Sequence, residues 1–196
     1  GVGRGLFREK LEIARSTLAE IRKHRVAGTE EIPTFAEVLQ WANGRVVINA
    51  EFKERDVVRP AVRLVREYDA YEWVYFQTKS DPGRYLLARQ EDKRVALLFK
   101  PETQEELEWI LGLDDNRIVV IEFHAPMRTK DNLRRVHNAG KLASENSWHF
   151  TPFKETFGAA CKRTWDAGMD IAITKHPAHG VRQRAAYETR HRGDSS

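Results

Sequence analysis

Six short apolar runs, each followed by a stretch with helical spacing, constrain this chain more than any other feature. The runs cover 46–51, 73–77, 95–99, 118–123, 141–146 and 169–174. They are rich in β-branched and aromatic residues, as in Val46-Val47-Ile48, Val74-Tyr75-Phe76 and Ile118-Val119-Val120-Ile121. Between them Phe35, Val38 and Leu39 recur at three and four residues, as do Ala61, Leu64 and Val65. Leu107, Ile110 and Leu111, then Leu133, Val136 and Ala139, continue that spacing, which is the signature of an amphipathic helix. Near-continuous apolar strands alternating with such helices predict a parallel sheet with both faces covered, an α/β fold.

Local signals set the boundaries. Thr34 followed three residues later by Glu37 fits a capping box, and Pro33 stops whatever precedes it. The segment Pro101-Glu102-Thr103-Gln104-Glu105-Glu106 puts carboxylates in a first helical turn, where the helix dipole favours them. Asn43-Gly44 and Ala139-Gly140 end helices just ahead of strands. This divides the chain into a linker and helix over 1–31, a sheet-and-helix body over 32–180, and a terminal helix and tail over 181–196. Periodicity alone leaves two architectures open, an open doubly wound sheet and a (β/α)₈ barrel. No glycine-rich phosphate loop follows any strand; Gly1-Val2-Gly3-Arg4-Gly5 precedes them all and lacks the dinucleotide spacing.

A chain of 196 residues suits one domain or most of a larger one. Hydrophobic residues at 41% fill a core, and charged residues at 32% solvate the surface. The net charge of +4 is spread among interleaved acids and bases, unlike the one-sided basic face of a nucleic-acid binder. No nucleic-acid partner is therefore expected, and the arginine-rich 182–192 stretch reads as a solvated terminal helix. No apolar run approaches the ~20 residues of a membrane span, and residues 1–10 lack a signal-peptide core. The compartment stays open. Cys161 is the only cysteine, which excludes an intrachain disulfide and a thiolate zinc site. In Ala159-Ala160-Cys161 it reads as a small buried hydrophobe within a helix.

The candidate chemistry gathers at the end of the first run, Asn49-Ala50-Glu51-Phe52-Lys53. Side chains two apart on a strand share a face, so Asn49, Glu51 and Lys53 point the same way near its C-terminal end. A carboxylate there suits a hard divalent cation, and an ammonium suits charge developing on a phosphoryl oxygen. The plainer account is an ion pair, contributing roughly 0–1 kcal/mol if exposed.

Residues 31–53, from Glu31-Ile32-Pro33-Thr34-Phe35 through Asn49-Ala50-Glu51-Phe52-Lys53, resemble the middle of the glycerophosphodiester phosphodiesterase family. There a helix opening Ile-Pro-Thr leads into a third barrel strand ending Asn-x-Glu-x-Lys. Ser16-Thr17-Leu18-Ala19-Glu20-Ile21-Arg22 is similar to the element before it. Ala167-Gly168-Met169-Asp170-Ile171-Ala172-Ile173-Thr174-Lys175-His176-Pro177 is similar to the closing strand, with Lys175 where an Asp is usual.

The resemblance implies a (β/α)₈ TIM-type barrel of which this chain carries strands three to eight, strands one and two being absent. It implies a metal-dependent phosphoric diester hydrolase that cleaves glycerophosphodiesters to an alcohol and glycerol phosphate. Glu51 is the implied ligand of a calcium or magnesium ion, and Lys53 the implied catalytic cation. His124, ending the 118–123 run, and Trp148, beyond the 141–146 run, are candidates for substrate binding. The family's opening His-Arg-Gly, its Glu-x-Asp pair and its second histidine have no counterpart before Glu51. His24 reads as a surface residue, and His191-Arg192-Gly193 as a chance match rather than a circular permutation. A non-catalytic barrel remnant that binds a partner is the alternative function, and an unrelated doubly wound α/β enzyme the third. Six strands of eight would leave the first and last as open edges, so self-association is expected.

Overall fold

The computed structural model describes residues 13–26, 28–146 and 159–191. A 3-10 turn (Ile13–Arg15) and a short helix α1 (Leu18–Ile21) open it, followed by a two-stranded antiparallel hairpin of β1 (Arg25–Val26) and β2 (Glu30–Glu31). Thr17 caps α1 by accepting the Glu20 N–H while the Glu20 carboxylate accepts the Thr17 N–H. Thr34 and Glu37 do the same for α2 (Phe35–Ala42). This reciprocal cap satisfies two backbone donors that an unprotected helix start leaves orphaned. Asn43 ends α2 in the left-handed region at φ 41°, a conformation asparagine tolerates better than most residues.

From there, among the described residues, strand and α-helix alternate: β3 (Ile48–Glu51), α3 (Val58–Glu67), β4 (Val74–Gln77), α4 (Pro82–Glu91), β5 (Ala96–Phe99), α5 (Gln104–Leu111), β6 (Ile118–Phe123), α6 (Lys130–Asn138), β7 (Leu142–Asn146), α7 (Ala159–Asp166), β8 (Ile171–Ile173) and α8 (Pro177–His191). The sheet order is β3-β4-β5-β6-β7-β8, every pair parallel. That order separates the two architectures left open by periodicity. A doubly wound sheet reverses its strand order at a switch point; a strictly sequential one, with right-handed crossovers, puts all its helices on one face.

The core confirms that placement. Phe76, Leu97, Phe99, Ile121 and Phe123 from the strands share one buried cluster with Leu39 of α2, Val62 and Val65 of α3, Ala88 of α4, Leu107 and Ile110 of α5, and Val136 of α6. Phe52 stacks on Phe76 with ring centroids 4.4 Å apart. Each such buried side chain contributes about 1.5–3 kcal/mol. The opposite sheet face carries Tyr75, Gln77, Leu98 and Glu122, the alternate positions of the same strands. Residues of β3 and β8 line one common cavity on that face. In a flat six-stranded sheet those edges would stand about 24 Å apart, so the sheet is curled into most of a barrel wall.

Some boundaries differ from the sequence expectation. Val46 and Val47 fall outside β3 and are 43% and 67% exposed; their β-branched character marks an approach to the strand rather than the strand. The last helix begins at Pro177, ahead of the boundary drawn at 181, because proline is well suited to a first helical turn. Cys161 is buried and reduced. No described helix is long and apolar enough to cross a membrane.

Candidate active site

Strands β3 to β7 each end, on the inward face, in a polar residue or lead directly into one. Glu51 closes β3, Gln77 closes β4, Lys100 follows β5, Glu122 is the last inward position of β6, and Asn146 closes β7. Together with Lys79, the exposed Glu102 and Ile173 of β8, they line a cavity of about 480 Å³. It lies at the C-terminal end of the strands, where barrel enzymes gather their chemistry. Below it the inward face turns apolar through Leu98 and Val120, both buried.

Glu122 is 1% exposed. Its Oε1 accepts a hydrogen bond from Lys100 Nζ at 2.6 Å and another from Asn146 Nδ2 at 2.8 Å. Its Oε2 accepts from Gln77 Nε2 at 3.3 Å, a bond that spans the intervening β5. A carboxylate this deep requires such pairing, since an isolated buried charge is strongly disfavoured. Burial and the nearby Glu122 charge push the Tyr75 phenol above its ordinary pKa. Asn146 Oδ1 is buried with no protein hydrogen-bond partner.

Glu51 is arranged differently. Its side chain is 26% exposed and meets two ammonium groups, Lys53 at Oε2 and Lys79 at Oε1, the latter at 3.2 Å. Partial burial pushes its pKa up, but the hydrogen bonds and charges of Lys53 and Lys79 outweigh that, so the carboxyl titrates below its ordinary value. Glu51 is therefore ionised at neutral pH.

The structure brings only part of the expected site together. Glu51 lines the cavity and Lys53 reaches it through their ion pair, yet Lys53 itself is 64% exposed and outside the lining. The strand stops at Glu51, and Phe52 is buried in the core, on the face opposite Glu51. His124 directly follows β6, half-buried and outside the cavity lining. Trp148 lies outside the described residues, as do Arg192 and Gly193. Sequence reasoning missed Gln77, Lys79, Lys100, Glu122 and Asn146. The signal was a polar residue at or just past the end of each apolar run. Glu145, buried as deeply as Glu122, points instead toward the helices, to Arg128 at 2.8 Å and Thr164 at 3.4 Å.

A calcium or magnesium ion takes six or more oxygen ligands. No group of three or more His, Cys, Asp or Glu side chains able to hold a metal occurs among the described residues. The two inner carboxylates of the cavity already carry ammonium partners. The described residues do not by themselves fit a divalent ion.

No family model matches this sequence, and no curated protein matches it. Solved structures do. A glycerophosphoryl diester phosphodiesterase from Parabacteroides distasonis superposes with a TM-score of 0.73 at 15% identity, over 92% of this chain and 67% of that one. A Silicibacter pomeroyi protein, provisionally named as the same kind of enzyme, gives 0.70 at 14% identity, over 93% and 72%. At such identity the likeness is one of fold: this curled, sequential α/β sheet is the fold that these phosphodiesterase structures share across most of its length.

Proposed function

We propose that the cavity binds a phosphoric diester of the glycerophosphodiester kind, as part of a hydrolase that releases an alcohol and glycerol phosphate. The observation that carries the reading is the pair Lys79 and Lys100 in a polar cavity at the C-terminal end of this sheet. Each ammonium group has three N–H donors and gives one to a carboxylate, which leaves up to four for non-bridging phosphoryl oxygens. Charge on those oxygens that grows toward the transition state is held more strongly than in the ground state. Lys53 acts on the phosphate only by way of Glu51, whose second oxygen it neutralises. Residues 31–53, which resemble the family's central motif, supply Glu51 and its helix.

A second reading is a binding module without turnover. It is favoured by the absence of any histidine lining the cavity among the described residues, since the family's chemistry rests on histidine acid–base pairs. Phosphorus NMR of glycerophosphocholine incubated with the chain, with calcium or magnesium present, separates the two. Appearance of glycerol phosphate supports the hydrolase. Binding without conversion supports the module, and neither binding nor conversion overturns both.

A further inference from the structure

We propose, resting on the phosphodiester reading above, that Glu102 selects diesters whose alcohol carries an ammonium group, by pairing with that group where the cavity meets solvent. Three carboxylates line the cavity, Glu51, Glu102 and Glu122, against two ammonium groups, Lys79 and Lys100. Lys53 stands just outside the lining, paired with Glu51, and makes the count three against three. A phosphodiester of an uncharged alcohol adds a negative charge to a set that is already balanced. A zwitterionic diester, anionic at phosphorus and cationic at the alcohol, adds none.

The three carboxylates are not equivalent. Glu51 already meets Lys53 and Lys79, and Glu122 accepts from Lys100, Asn146 and Gln77. The Glu102 side chain has no ion-pair or hydrogen-bond partner among the described residues, and it is exposed. Its carboxylate is therefore the one whose charge a ligand can still answer. The backbone beneath it is held in place: Pro101 is buried, and the Glu102 N–H donates to Glu106 Oε2 on α5 at 2.7 Å. Such anchoring lowers the ordering cost of a contact made there. Glu102 follows Lys100 by two residues on the segment leaving β5, and both line the same cavity of about 480 Å³. One small diester can thus meet a lysine with its phosphate and Glu102 with its alcohol. A primary ammonium brings three N–H donors to a carboxylate that has none.

Isothermal titration calorimetry of the 196-residue chain tests this with two ligands, glycerophosphoethanolamine and its propyl counterpart, in which a methyl group replaces the ammonium. Both are titrated in EDTA and again with calcium or magnesium chloride. In whichever condition they bind, the ethanolamine diester is expected to bind about threefold tighter, the scale of one exposed ion pair. That preference should shrink as salt is raised. Glu102→Gln should bring the two diesters to equal affinity, and Glu102→Lys should reverse their order. Neither variant removes a partner from another side chain, so both should fold as the parent does. The propyl diester is the internal control, since its affinity should not fall in Glu102→Gln. Where the chain turns the diesters over, the ratio of their kcat/KM values replaces the ratio of affinities. Equal affinity for the unaltered chain, or a preference that persists in Glu102→Gln, overturns the role of Glu102 and leaves the phosphodiester reading standing. Failure of both diesters to bind in every condition overturns both.

Discussion

Lys100 Nζ lies 2.6 Å from Glu122 Oε1, tying the end of β5 to a carboxylate on β6 that is 1% exposed. The pair is worth little as attraction alone, since both charges lose water to form it. Its weight appears when one member is removed and the other stays buried. Lys100→Met should lower unfolding free energy by about 3 kcal/mol, read from urea denaturation. Adding Glu122→Gln to Lys100→Met should recover most of that loss. A loss below about 1 kcal/mol, the level of an exposed pair, would mean that Glu122 is solvated in solution.

Acid should act early on the helix that leads into β3. The Thr34 backbone N–H, then the Arg22 guanidinium and the Thr34 hydroxyl, bring the Glu37 carboxyl down to about 2 from 4.5. The unfolded chain therefore binds a proton there before the folded chain does, so this contribution is complete above the unfolded value and lost as pH falls from 4.5 toward 2. Glu37→Gln should flatten stability against pH within that window and leave the neutral-pH slope unchanged. A Glu37 carboxyl titrating near its ordinary value by NMR would remove the basis for this expectation.

Gly168 precedes β8 with φ +86°, and a Cβ added there would lie 2.8 Å from Leu133 Cδ2 on α6. Gly168→Ala therefore meets both backbone strain and a packed neighbour, and should cost about 2 kcal/mol or more. Measured against a Leu133→Ala parent, where the contact is gone, Gly168→Ala should cost only about 1 kcal/mol of backbone strain. No further loss from Gly168→Ala in that parent would show that the backbone penalty is absent.

The strand-and-helix order was legible because each signal acts locally: capping at Thr34, left-handed Asn43-Gly44, apolar runs of five or six residues. Val46 and Val47 misled because propensity cannot tell a paired residue from one approaching the sheet. Periodicity likewise could not choose between barrel and open sheet, a choice that lies in which strands are neighbours. At the site, Glu51 was visible through its motif, whereas Lys79, Lys100 and Glu122 were not. Their meeting depends on curvature, which brings β3, β4, β5 and β6 around one cavity. Lys53 was visible through the same motif, and its ammonium sits on the solvent side of its ion pair with Glu51, 64% exposed.

The first and last strands of the sheet make the final prediction. β3 pairs only with β4, and β8 only with β7, among the described residues. A strand with one free edge offers backbone donors and acceptors to another chain. The approach to β3 adds apolar surface: Trp41 is 65% exposed and Val47 67%. The isolated 196-residue chain should therefore self-associate, seen as a concentration-dependent rise in sedimentation coefficient and as binding of an apolar dye. Val47→Lys puts a charge beside that edge, a device natural sheets use against edge pairing, and should shift the chain toward monomer without loss of helix or strand signal. Because Val47 is already exposed, its replacement should change folding stability by less than about 0.5 kcal/mol. A chain that is monomeric at every concentration and silent to the dye would mean that both edges are covered by residues outside the described set.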